Sequence, residues 1–420
     1  MKTSFTRAAA PLALFTLTAG LLAGCGGDDS GSGSGKITLW MHPVIMEPKA
    51  NAAFWDKIEA DFEAAEKDTD IVIEQLPWEN RDQKLATAFA GGKGPDIVLL
   101  GPDQIPQYHA NGALAPVDGG LKESKDKFRP AALEAMSQDG KVYAAPIYHT
   151  VTSTIYNKKL LDRAGITKPP ATWDEIKAAA PKLKAVGHTT LDYSASNEAS
   201  QNMSFYPLLW QAGGKVFAED GKKVAFNGPE GVAALTFLTD LYKSGAVPKS
   251  ALTNSNLFTD QALGKQEVAM SYTNTPADAA LAEKTWGKEN VIVGNALTGV
   301  EQVSFGMPGG LGINAKSKNI SGAEKFIAFM TAPEQIQAMG QAGGYFSPRT
   351  DVTVPNSSPY AKQYQESLTH TVPGEPHAAA RQLMALISPQ IQAALTGKKT
   401  PKAALDEAAK QGDDLLARQR

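Results

Sequence analysis

Six histidines, at positions 42, 109, 149, 188, 370 and 377, show no HExxH or comparable metal-ligand spacing. The single cysteine, Cys25, excludes both a Cys-based zinc site and a disulfide framework. No G-x-S-x-G elbow is present. Gly35-Lys36 fails as a phosphate loop, because Ile37 stands where Ser or Thr must hold magnesium and Ser30 where the first glycine belongs. Glu79 and Asp103 form the one carboxylate pair that glycoside hydrolysis would need on a shared wall, and any long chain offers such pairs. What remains is recognition chemistry: Trp40, His42, Trp78, Glu79, Asn80, Asp103 and Gln104. A flat ring packs on the apolar face of a pyranose, while amides and carboxylates share its hydroxyls.

These residues fall at the ends of predicted strands. Ile37-Thr38-Leu39-Trp40 reads as a short strand ending at Met41-His42-Pro43. A helix follows from about Asn51, with Phe54, Trp55, Ile58 and Phe62 on one face. Ile71 to Gln75 is the next strand, and Trp78-Glu79-Asn80 leads into a helix carrying Leu85, Ala88 and Phe89 that stops at Gly91-Gly92. Pro95 to Leu100 is a third strand, turned by Gly101-Pro102-Asp103-Gln104. This alternation implies a mainly parallel sheet covered by helices. Ligands then bind at the strands' carboxyl ends, which puts Trp40 to His42, Trp78 to Asn80 and Asp103-Gln104 on one candidate wall. Plainer roles stay open: Trp40 as core, His42 or Asp103 as solvated loop or helix cap, Trp78 as cover for a helix end.

At 420 residues, two domains of ordinary size are expected. A formal net charge of −3 gives no general affinity for nucleic acid or acidic lipid, and no basic patch with interleaved aromatics is present. Lys2 and Arg7 precede an uncharged apolar run, Ala8 to Leu22, too short for a membrane span of roughly 20 residues and suited to a signal peptide. That run ends in Leu22-Ala23-Gly24-Cys25-Gly26, which resembles a bacterial lipobox. The resemblance implies cleavage before Cys25 and lipidation of its thiol. Asp28 to Gly35 reads as a flexible tether.

Pro146-Ile147-Tyr148-His149-Thr150-Val151-Thr152-Ser153-Thr154-Ile155-Tyr156-Asn157 reads as one extended segment. It resembles the first interdomain crossover of maltose-binding-protein-like extracellular solute-binding proteins, the capturing subunits of ABC importers. Tyr156-Asn157-Lys158, Ala164-Gly165, Pro169-Pro170 and Thr172-Trp173-Asp174-Glu175 resemble that family's most recognisable string; the last four also read as a capping box. Pro207 to Gly214 resembles a ligand-stacking helix end, with Trp210 as either stacking ring or core. Gly264 to Tyr272 resembles the second crossover, delivering Tyr272 to Pro276 into a cleft. Leu311 to Lys316 resembles the third, led in by Pro308-Gly309-Gly310, whose glycines permit close approach of a ligand or simply a turn. In Gly343-Gly344-Tyr345-Phe346-Ser347-Pro348-Arg349, the arginine either clamps a ligand or pins the loop.

The resemblance implies an α/β, two-lobed type II periplasmic-binding-protein fold, each lobe a mainly parallel sheet flanked by helices, joined by three crossovers. It divides the chain into a lipoprotein signal peptide at 1–24, a tether at 25–35, a first lobe at 36–148 and 275–310, and a second at 149–274 and 311–420. It implies a mono- or oligosaccharide held by Trp40, His42, Glu79, Asn80, Asp103, Gln104, Tyr148, His149, Trp210, Tyr272, Asn274, Gly309, Gly310, Tyr345 and Arg349. No cofactor, metal or catalysis is expected. The expected partners are the membrane subunits of an ABC importer, and no nucleic acid. The protein is expected to be an extracytoplasmic monomer, anchored to the membrane through lipid on Cys25. A polyamine or phosphodiester stays open as cargo, and a secreted glycoside hydrolase as a more distant alternative.

Overall fold

The computed structural model describes residues 35–196, 200–254, 257–355 and 358–418, so the expected leader, lipidation site and nearly all of the tether lie outside the described residues. The strand Gly35–Met41 alternates, burying Ile37, Leu39 and Met41 completely. It pairs in parallel with Thr69–Gln75 and with Ile97–Leu100. Between the first two strands, helix Pro48–Ala65 buries Trp55, Ile58 and Phe62 on one stripe, and the Glu47 carboxylate caps it by accepting from the Lys49 and Ala50 amides. Helix Arg81–Ala90 buries Leu85 and Phe89 in the same core. Pro308–Asn314 then lies antiparallel between Ile97–Leu100 and Leu114–Ala115, and Ala145–His149 also pairs with it. The six-stranded sheet is therefore mixed. Pro308–Asn314 is the one strand that opposes the rest: Leu114–Ala115 and Ala145–His149, both antiparallel to it, run in the same direction as the first three, so the sheet is mainly parallel.

The second lobe is built on a four-stranded sheet ordered Val291–Val293, Ser153–Asn157, Val268–Asn274, Thr189–Leu191. Its first two pairings are antiparallel and its third parallel. Alternation along Ser153–Asn157 sends Tyr156 into a large core with helices Phe205–Gln211, Pro229–Ser244, Ala380–Leu395 and Pro401–Arg418. Ile155 points into a smaller core with Phe258, Trp286, Tyr360 and Tyr364. Both faces of the sheet are covered.

Residues 146–157, which read as one extended run, are two strands in two different sheets, and Thr150 to Thr152 carry the chain from lobe to lobe. The return passage, at residues 305–307, runs beside the first. The Thr150 amide donates to the Met307 carbonyl (2.9 Å) and the Thr152 amide to the Phe305 carbonyl (2.8 Å). The Thr152 and Ser304 hydroxyls lie 2.6 Å apart. The third passage falls between Val352, in the first lobe's core, and Tyr360, in the second's smaller one.

The expected lobe boundaries are corrected accordingly. Residues 275–305 belong with the second lobe, since helix Pro276–Trp286 packs in its smaller core and Val291–Val293 pairs with Ser153–Asn157. Residues 308–352 belong with the first: helix Ile320–Met330 buries Ala323, Phe326, Ile327 and Met330 there, with the Phe326 and Phe62 rings 5.0 Å apart. The segments expected as the second and third crossovers overlap Val268–Asn274 and Pro308–Asn314, each a wholly buried inner strand of one sheet. A strand hydrogen-bonded on both edges cannot also be the passage between sheets.

Candidate functional site

A cavity of about 430 Å³ lies between the lobes. The first lobe contributes Pro43, Val44 and Met46, the stretch Trp78 to Gln83, and Tyr148 and Tyr345. The second contributes Ser200, Asn202, Met203, Leu257, Asp278, Arg381, Met384 and Ser388. Thr150, Thr152, Phe305 and Met307, from the two laced passages, also line it.

The Trp78 stretch reaches the cavity because it joins the carboxyl end of Thr69–Gln75 to the first turn of helix Arg81–Ala90. Asn80 makes that turn in the left-handed region (φ 57°), which asparagine tolerates better than most side chains. Trp78 is fixed by its indole N–H donating to the Pro43 carbonyl (3.3 Å) and by the His42 ring stacked 4.5 Å away. The Arg81 guanidinium sits 5.0 Å from the Trp78 ring centre. Burial, and next the Arg81 charge, push the His42 pKa down to about 4, so at neutral pH it is an uncharged packing group.

Behind this wall the lobes meet through charge. Arg381, on helix Ala380–Leu395, places Nε 3.2 Å from Asp103 Oδ2 and 3.8 Å from Asp82 Oδ2. Asn202 Nδ2 donates to the same Asp103 oxygen (3.0 Å), and Gln104 Nε2 donates to Asp82 Oδ1 (2.7 Å). Burial raises the Asp82 pKa, but Arg381 and Arg81 more than offset it and hold the carboxylate below its usual range. Burial disfavours charge on Arg381 too, and Asp103 and Asp82 overcome that. Asp103 and Gln104 are thus second-row supports instead of lining residues, and only Glu79 of the candidate hydrolytic pair faces the cavity. Among the described residues no cluster of three or more His, Cys, Asp or Glu could hold a metal ion.

Tyr148 and Tyr345 stack with centroids 4.3 Å apart, and the Tyr345 hydroxyl donates to the Val44 carbonyl. Gly309 makes room for them, since a Cβ there would fall 2.1 Å from Tyr148 Cζ. Gly309→Ala is expected to cost about 1–3 kcal/mol of stability through overpacking and to change the near-ultraviolet circular dichroism of the tyrosine pair. An unchanged spectrum and melting temperature would show that the ring yields freely. At Gly310 a Cβ would lie 2.9 Å from the Ala145 carbonyl oxygen, so this glycine serves the strand pairing.

Of the residues singled out from sequence, Trp78, Glu79, Asn80, Tyr148 and Tyr345 line the cavity. The others stand elsewhere. Trp40 is half-buried at the edge of the first core and donates to Glu74 (2.9 Å). Trp210 is buried in the second lobe with its indole N–H on Glu375 (3.2 Å), and Tyr272 is buried there with its hydroxyl on the Ser204 carbonyl. Asn274 is buried beside Asp278, which accepts from the Thr275 amide and hydroxyl and whose pKa burial lifts to about 6. His149 exchanges backbone hydrogen bonds with Phe346, both 2.9 Å, and burial, then the Arg129 charge, lower its pKa to about 4. Arg349 is a loop pin: it grips the Asp351 carboxylate through two nitrogens (2.9 and 2.7 Å) and donates to the Thr331 carbonyl (2.7 Å).

Sequence reasoning missed Arg81 and Asp82, although they directly follow Trp78 to Asn80 at the same strand end. It also missed Asn202, Arg381 and the four methionines at 46, 203, 307 and 384. For Arg381, on a helix with ordinary core spacing, no local signal marks the cavity.

The profile of the bacterial extracellular solute-binding proteins matches residues 47–337. Diacetylchitobiose binding protein DasA of Streptomyces coelicolor is 31% identical over 216 residues, 49% of this chain and 49% of that protein. The maltotriose-binding protein of Pyrococcus abyssi is 30% identical over 212 residues, 49% of this chain and 42% of that one. The chain spans about half the length of the curated relatives it matches. Maltose-bound MalE3 of T. maritima shares the fold with a TM-score of 0.79 at 25% identity, over 91% of this chain and 100% of that one. On these matches and this two-lobed architecture, the chain belongs to the bacterial extracellular solute-binding proteins.

Proposed function

We propose that the protein captures a mono- or oligosaccharide between its lobes and delivers it to the membrane subunits of an ABC importer. The observation that carries this is the cavity of about 430 Å³ walled by both lobes and by both laced passages. A ligand there touches both lobes at once, and only such differential contact can favour the closed arrangement. The named ligands of the relatives, diacetylchitobiose, maltotriose and maltose, support a sugar. Charge weighs against a phosphodiester: Asp82 and Asp103 balance Arg81 and Arg381, and Glu79 adds a further carboxylate to the lining, which leaves no surplus cation. Glu79, Asn80, Tyr148 and Tyr345 are the proposed ligand contacts on the first lobe, and the reading is of a binding protein without catalysis. The lipobox-like sequence at Cys25 supports an extracytoplasmic protein held at the membrane by lipid.

The test is a thermal-shift screen of the purified protein against sugars, polyamines, amino acids and phosphodiesters. A native-state ligand raises the melting temperature as its concentration exceeds the dissociation constant. A shift with one sugar family and no breakdown of that sugar on long incubation is expected. A shift with phosphodiesters or polyamines alone would replace the sugar, and sugar breakdown would restore the hydrolase.

A further inference from the structure

Ten methionines occur in the chain, and four of them meet at the cavity: Met46, Met203, Met307 and Met384. They come from four separate segments on both lobes and a passage between them, so no local sequence pattern accounts for their sharing one lining. Three of them, Met46, Met203 and Met307, are only partly buried, and Phe305 and the partly exposed Leu257 extend the same apolar lining.

Thioethers are weak hydrogen-bond acceptors and cannot donate, so they serve sugar hydroxyls poorly. A flexible, polarizable side chain instead suits an apolar group of irregular outline, and sulfur makes favourable contacts with aromatic rings. Resting on the sugar reading above, we propose that the ligand is a glycoside bearing an apolar substituent. Its hydroxylated part meets the polar and tyrosine-bearing wall, and its substituent lies among the four methionines. The unbranched thioether chains make the lining they supply tolerant of the substituent's shape.

Matched methyl and phenyl glycosides of glucose, galactose, maltose and cellobiose, titrated calorimetrically into the purified protein, test this. At least one phenyl glycoside is expected to bind tenfold or more tightly than its methyl counterpart. Met46→Gln/Met307→Gln is expected to bring that ratio near one, while Met46→Leu/Met307→Leu keeps the preference and controls for folding. Equal binding of methyl and phenyl partners to the unaltered protein overturns the inference and leaves the sugar reading in place. A preference that survives the glutamine pair also overturns it. Binding of no glycoside, by protein that another solute stabilises, removes the sugar reading and this inference together.

Discussion

Arg381→Met drives the lobes apart. The Asp103 side chain is completely buried, its Oδ2 faces Arg381 Nε at 3.2 Å, and its Oδ1 has no hydrogen-bond partner. Without the guanidinium, the carboxylate keeps only the neutral amide of Asn202, 3.0 Å away. Breaking a buried ion pair from one side costs about 3–5 kcal/mol. That is a bias of roughly 10²- to 4 × 10³-fold against the arrangement in which the lobes touch. Water reaches Asp103 most directly when the lobes part, so the penalty falls on closure more than on folding. The radius of gyration from small-angle scattering should rise, and affinity for any ligand held by both lobes should fall by the same order. Asp103→Asn combined with Arg381→Met should recover much of the loss, since no charge is then stranded. Unchanged scattering and affinity in the single variant would show the ion pair to be idle.

Tyr272→Ala is expected to cost about 3–5 kcal/mol of folding stability, the usual penalty for truncating a large buried aromatic side chain. Its ring is 2% exposed inside the second lobe's main core, and burial pushes its phenol pKa well up. Truncation also strands the Ser204 carbonyl that its hydroxyl satisfies. Trp210→Ala should behave alike, leaving Glu375 without its indole donor. The urea midpoint of the unliganded protein measures this. A normal midpoint with lost ligand affinity would move the ring out of the core and into the site.

The sequence reading succeeded where periodicity is local. Phe54, Trp55, Ile58 and Phe62 announce their helix, and the alternation of Ile37, Leu39 and Met41 announces a half-buried strand. The wall at Trp78 to Asn80 was legible because a strand end in an α/β sheet is a place where side chains reach a crevice. Lobe membership after residue 274 was not, because a fully buried strand carries no mark of which sheet holds it; Val268–Asn274 and Pro308–Asn314 look alike and lie in different lobes. Aromatic content misled at Trp210 and Tyr272, where a polar tip found a partner inside the core instead of a ligand. Arg381 meets Asp82 and Asp103 across some three hundred residues of chain, and only the assembled fold reveals that pairing.

The lacing of the two passages has a mechanical consequence. Thr150 bonded to Met307 and Thr152 bonded to Phe305 tie two strips of backbone side by side. Twisting one lobe against the other would shear those bonds, whereas swinging about a line through them would not. The joint therefore has one easy axis, like a door on two pins. Thr150, Thr152, Phe305 and Met307 line the cavity and lie on that axis. They stay nearly still while the opposite rim travels farthest, so a solute arrives from the rim, settles against the pinned edge, and is covered last on the side where it came in.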